Sequence, residues 1–218
     1  MTQRTQKKPP AKSGRNLSTL WWILGGAVGL GLIVFLAISI AGEEAVDDSI
    51  GFGEITMEGD LLPALADPLN DVAVGMIAPT VSGADWDDNS YSISPDGTPK
   101  LLVFLAHWCP HCQAEVPVVQ QWLDDGGLPE GVDIYSLTVA TDRLRPNWPP
   151  QDWLVEEGWT VPVIMDDEIG TAAAGYGMVG TPMYVVLDGD NNVLQRISGE
   201  IGVAGLETLA QIAAESVG

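Results

Sequence analysis

Cys109 and Cys112 are the only cysteines of the chain, and they stand two residues apart in "WCPHC". Thiols at this spacing can exchange a disulfide with another molecule, supply half of a metal site, or clip a small loop. Exchange needs a thiolate, because the protonated thiol is a poor nucleophile. Its neighbours must therefore lower the pKa of one thiol and leave the second within reach as a resolving group.

Leu101 to Ala106, six apolar residues in "TPKLLVFLAHW", read as a strand buried on both faces. Cys109 follows that strand at the start of a helix, where unpaired backbone N–H groups and the helix dipole favour negative charge. Pro110 suits the first helical turn, since its missing N–H would have had no partner. Cys109 is then the exposed attacker, and Cys112, one turn deeper, resolves the mixed disulfide. His111, charged or as a donor, adds stabilisation to the Cys109 thiolate and so makes the disulfide more oxidising. Glu115 shares a helix face with Cys112, where a partly buried carboxylate can accept the Cys112 proton; the alternative is a solvated helix glutamate. Pro117 is expected to interrupt and kink this helix.

The second signature is "GTPMYVVL". Proline at the head of an apolar strand cannot donate to the ladder, and Thr181–Pro182 is the peptide bond most suspect of being cis. A cis turn would leave the Thr181 backbone free to pair with an extended substrate beside Cys109.

These groups need a scaffold. "QAEVPVVQQWL" places Val116, Val119, Trp122 and Leu123 at helical spacing and ends at Gly126 and Gly127. "VDIYSLTVA" is β-rich, Trp148 to Glu157 reads as a short helix, "TVPVIM" as a strand and "EIGTAAAGYG" as a helix. "PMYVVL", "DGDNN" and "VLQRIS" form a hairpin, and Leu206, Leu209, Ala210, Ala213 and Val217 line a closing amphipathic helix. Alternation of this kind predicts an α/β fold with a central mixed sheet flanked by helices.

Charge divides the 218-residue chain. Up to Gly42 it has Arg4, Lys7, Lys8, Lys12 and Arg15 and no acid. Beyond Gly42 lie all 30 acids against Lys100, Arg143, Arg145 and Arg196, a net of −26. Such a surface repels phosphate backbones and anionic lipid, which argues against nucleic acid as a partner. Leu20 to Ala41 is a charge-free run of 22 residues, and a bilayer core takes about 20 as helix. Trp21 and Trp22 suit the lipid interface, and the basic flank predicts a cytoplasmic amino terminus. A cleaved signal peptide is the rival, but its core would be about 7–15 residues. The expected layout is a basic cytoplasmic tail (1–19), a membrane helix (20–41), an acidic extracytoplasmic linker (42–73) and the redox domain (74–218).

The buried strand running into W-C-x-x-C, the proline-bearing helix and the later G-T-P ahead of a hairpin resemble thioredoxin. "CPHCQAEVP" is similar to the C-x-x-C-x-x-E-x-P of membrane-anchored TlpA/ResA-type thiol–disulfide oxidoreductases, and "VGMIAPTVSG" at 74–83 to their Gly…Ala-Pro entry segment. The resemblance covers residues 74–218. It implies a thioredoxin fold, Cys109 as nucleophile, Cys112 as resolving thiol, Glu115 as acid–base helper and Pro182 as the cis proline. Thioredoxin's buried aspartate, six residues before its first cysteine, is replaced by Val103. The Pro110–His111 dipeptide instead resembles the DsbA-type disulfide donors, although the 23 residues from Ala140 to Pro162 are too few for their helical insertion.

The reading is an extracytoplasmic, membrane-anchored oxidoreductase exchanging disulfides with protein substrates, leaning oxidising on the strength of His111. A reductase of the cytochrome c maturation type is the alternative. No flavin, haem or nucleotide motif is present, so a membrane or envelope partner must carry the electrons. A peroxiredoxin would need Pro and Thr upstream of its cysteine, which "LAHWC" lacks. A copper or zinc module would have to use Cys109, Cys112, His107 and His111, four ligands within six residues that cannot easily form a tetrahedron. A purely structural disulfide would close a minimal loop and stabilise little.

Overall fold

The computed structural model describes residues 50–216. The tail, the membrane helix, the first part of the linker (42–49) and Val217 lie outside the described residues. Among the described residues no helix is long and apolar enough to cross a membrane.

The central sheet is ordered β6-β5-β4-β7-β8. Its strands are β4 (Lys100–Leu105), β5 (Asp133–Thr138), β6 (Val163–Met165), β7 (Met183–Leu187) and β8 (Val193–Ser198). β4, β5 and β6 run parallel, whereas β7 is antiparallel to β4 and β8 to β7, so the sheet is mixed as expected. The helices are α1 (Pro110–Asp124), α2 (Pro150–Glu156), α3 (Thr171–Gly175) and α4 (Gly202–Glu215). α1 does not end at Pro117 but runs through it.

The apolar run in β4 has a physical cause in the period of two of a strand. Leu101, Val103 and Leu105 enter one core with Cys112, Val116 and Val119 of α1 and Leu206, Leu209 and Ala213 of α4. Leu102 and Phe104 enter a second core on the other face, with Val81, Ile93, Ala172 and Tyr176. Covered on both sides, the strand has no polar face to show.

The second face is covered by a feature the sequence pattern missed: an antiparallel sheet of β1 (Thr56–Glu58), β2 (Thr80–Ala84) and β3 (Ser90–Ile93). Val81 and Ile93 are its fully buried apolar side chains, too few to produce alternation. The β2–β3 turn is instead built by Asp85, whose Oδ1 accepts the N–H of Asp87 and of Asn89.

The linker expectation also needs correction over residues 50–73. This stretch carries β1 and buries Leu62, Leu65 and Ala73. It is held by Arg196 of β8, fully buried, which donates to both oxygens of Asp71 (2.6 and 2.8 Å) and to the carbonyls of Pro63 (2.9 Å) and Tyr176 (2.8 Å). Gly177 (φ 65°) passes so close that an added Cβ would lie 2.2 Å from the Pro63 carbonyl oxygen. Asp71 and Arg196 are 125 residues apart, so no local pattern could reveal the clamp.

Removing one partner of a buried ion pair strands the other charge. Asp71→Ala should therefore lower unfolding free energy by about 3–5 kcal/mol in a denaturant titration; a change within experimental error would contradict the clamp. The hydrogen bond from Arg196 holds the Asp71 carboxyl below its ordinary 3.8. The pair's stabilisation is therefore complete above the ordinary value and is lost as pH falls through the lowered native value.

Candidate active site

β4 delivers the chain to Cys109 in the centre of the sheet, between the end of β5 and the start of β7. Cys109 caps α1 with extended backbone, and Pro110 takes the first helical position. Both cysteines are free thiols, with Cys109 6% and Cys112 0% exposed. The Thr181–Pro182 bond is cis. The thiol of Cys109 donates to the Thr181 carbonyl oxygen at 3.3 Å. Cys112 Sγ accepts the Ala106 N–H at 3.4 Å.

The two sulfurs have opposite electrostatic environments. Burial opposes charge on Cys109, but the Thr181 side chain, the N–H groups of Cys112 and His111, and the Cys112 thiol outweigh it and hold its pKa below the ordinary thiol value. For Cys112 burial dominates, and its pKa is pushed up to about 12. At neutral pH the attacking thiolate therefore forms on Cys109.

His111 is exposed and aims its ring elsewhere than expected. Its Nδ1 is hydrogen-bonded to Glu200 Oε1, and this carboxylate raises the His111 pKa, with the Cys109 charge as the smallest contribution. What His111 brings to Cys109 through a hydrogen bond is its backbone N–H. Glu200 was not foreseen; it follows β8 and lies 89 residues from His111.

Glu115 is 2% exposed, so it is not a solvated helix glutamate. Its Oε1 accepts from the Tyr184 hydroxyl (2.9 Å) and from the N–H groups of Ile201 (2.9 Å) and Gly202 (3.0 Å). One carboxylate oxygen thus ties α1 to β7 and satisfies the first N–H groups of α4, where the helix dipole welcomes negative charge. Burial, then Glu115, raises the Tyr184 pKa, which keeps its hydroxyl a donor.

His107 sets the loop after β5. Its Nδ1 lies 2.7 Å from the Pro146 carbonyl oxygen and its Nε2 3.2 Å from the Asp142 N–H. A carbonyl only accepts and an N–H only donates, so the ring is neutral and protonated at Nδ1. Burial lowers its pKa and keeps it so. Nδ1 carries the proton and the Nε2 lone pair accepts the Asp142 N–H, so both ring nitrogens are engaged within the fold. The indole N–H of Trp108 donates to the Ala140 carbonyl (2.7 Å), and the Arg145 guanidinium stacks 5.0 Å from the Trp108 ring centre. The helix expected over Trp148 to Glu157 begins only at Pro150, after a cis Trp148–Pro149 bond.

Comparison with known proteins agrees with this geometry. Residues 73–209 match the Redoxin family model. The thiol:disulfide interchange protein DsbE of Haemophilus influenzae is 27% identical over 173 residues, 78% of this chain and 84% of that protein. A crystal structure of a thioredoxin-family thiol:disulfide interchange protein from Chlorobium tepidum is 28% identical, with a TM-score of 0.50, over 63% of this chain and 94% of that one. The crystal structure of StoA from Bacillus subtilis shares the fold at 19% identity and a TM-score of 0.50, over 63% of this chain and 98% of that one.

Alkylation separates the two thiols. In the reduced protein Cys109 should label first, with a pH midpoint below the ordinary thiol value of 9.0, while Cys112 stays unlabelled at neutral pH until the protein is denatured. Equal labelling of both would contradict the geometry.

Proposed function

The chain belongs to the redoxin family and is a thiol–disulfide oxidoreductase; from that premise we propose that it exchanges disulfides with protein substrates through Cys109 and Cys112. The observation that carries this reading is the inequality of the thiols: one at a helix start beside the Thr181 carbonyl, the other sealed behind it with a pKa near 12. In the reductive direction the Cys109 thiolate attacks a substrate disulfide, forms a mixed disulfide and expels one substrate thiolate. Cys112 then loses its proton, attacks Cys109 Sγ and releases the second thiolate. Two electrons have passed to the substrate, and the pair is oxidised. Thr181 and Pro182 hold the substrate backbone beside Cys109. Glu115 takes the Cys112 proton on Oε2, since Oε1 is filled by three donors.

We favour the reductive direction over the oxidising one read from the CPHC dipeptide. That reading needed the His111 imidazolium to serve the Cys109 thiolate, and the ring is instead paired with Glu200. The remaining stabilisation comes mostly from neutral donors. This supports the alternative of a TlpA/ResA-like reductase, with cytochrome c maturation the role the resemblance implies. The same proposal anchors the protein through residues 20–41, places the domain outside the cytoplasm, and assigns re-reduction of the pair to a membrane or envelope partner.

Cys112→Ser should trap substrates as mixed disulfides on Cys109, and Cys109→Ser should abolish both trapping and reduction of insulin. Undiminished insulin reduction by Cys109→Ser would refute the assignment.

A further inference from the structure

The corner between β8 and α4, residues 198–202, is bonded to the thiol site at three points. Ser198 Oγ donates to the Gly180 carbonyl (3.2 Å) and the Gly199 N–H to the Pro182 carbonyl (2.8 Å), which ties the corner to the turn that holds Thr181. Ile201 and Gly202 give their N–H groups to Glu115 beneath the site. Glu200 stands between these two sets of bonds, and its carboxylate takes the third point, the His111 ring. Both side chains of this pair are exposed, His111 to 68% and Glu200 to 43%. Its carboxylate is nevertheless aimed by the fold, because the backbone on either side of Glu200 is fixed to the site.

We propose that Glu200 is a positioning residue: it holds the His111 ring in a charge-compensated pair and so denies the Cys109 thiolate the stabilisation that a free imidazolium beside it would give. The inference rests on the thiol–disulfide exchange reading and names the residue that limits the stability of its thiolate. The ring is close enough to matter, since the Cys109 charge adds to the upward shift of the His111 pKa, and an attraction felt by the ring is felt equally by the thiolate. The sign follows from charge alone. With Glu200 ionised, the pair carries between one negative charge and none, according to the protonation of the ring. Without that carboxylate the ring carries between none and one positive charge. Removing it therefore never makes the surroundings of Cys109 more negative, even if the ring loses part of its proton. The other titratable groups of the site are Cys112 and Glu115 on α1 and Tyr184 on β7, and all three stay in place. A less stable thiolate makes for a more reducing pair.

The test titrates the reduced full chain with pH and follows the Cys109 thiolate by its ultraviolet absorbance; Cys112, with its pKa near 12, ionises later. Glu200→Gln keeps the shape and an acceptor oxygen and removes the charge. The Cys109 ionisation constant should rise about fivefold in this variant, the upper range for an exposed charge pair. In a His111→Ala background the same substitution should change it by less than about twofold, because an exposed carboxylate with no ring to compensate is screened from the sulfur. An unchanged or lowered constant in Glu200→Gln would overturn the role while leaving the exchange reading intact. An equal rise in the His111→Ala background would overturn it too, since the carboxylate would then act on Cys109 directly. Failure of the unsubstituted chain to exchange with an insulin disulfide would instead remove the exchange reading on which the role rests.

Discussion

A thiolate has to form at Cys109 on the edge of a core that disfavours charge, and much of the structure answers that demand. Burial is the largest influence on this sulfur and works against ionisation. It is overcome by donors assembled from two places: the start of α1, which offers N–H groups, and the turn before β7, which offers Thr181. Both are fixed by β4, because α1 leaves its end and β7 is its antiparallel neighbour. The same burial without enough donors raises Cys112 to about 12. The asymmetry between nucleophile and resolving thiol is thus a matter of depth along one helical turn.

Buried polar groups keep this arrangement in register. Glu115 is buried beneath the site and links three elements through one oxygen, so α1 cannot shift without breaking bonds to Tyr184 and to the start of α4. Arg196 does the equivalent on the opposite face, joining the β8 edge to the segment that precedes β2. Neither pattern needs to add much net stability; each makes alternative packings costly because a displaced charge would be left without partners. His107 adds a third such tie, and its neutral tautomer is dictated by a carbonyl on one side and an N–H on the other.

What was legible in the sequence was local. The unbroken apolar β4, the CPHC at its end, the G-T-P turn and the closing amphipathic helix all carry their signal within a few residues, and each was found where expected. What was hidden depends on partners far along the chain: Asp71 with Arg196, His111 with Glu200, and Glu115 with Ile201, 86 residues away. The small β1–β3 sheet was hidden for another reason, since it buries too few apolar side chains to leave a periodic trace. The partner of the His111 ring, on which the oxidising reading rested, was hidden for the first of these reasons. A histidine between two cysteines says where its backbone is, whereas its ring answers to a carboxylate on another element.

Mostly neutral donors, with the imidazolium compensated by Glu200, set the stability of the Cys109 thiolate. The most direct measurement is the equilibrium redox titration of the Cys109–Cys112 pair. The expected potential lies at the reducing end, about −200 mV or lower, toward the roughly −270 mV of thioredoxin. A value near the −120 mV or so of a strong disulfide donor would contradict it, and would mean that His111 serves the thiolate despite its pairing with Glu200.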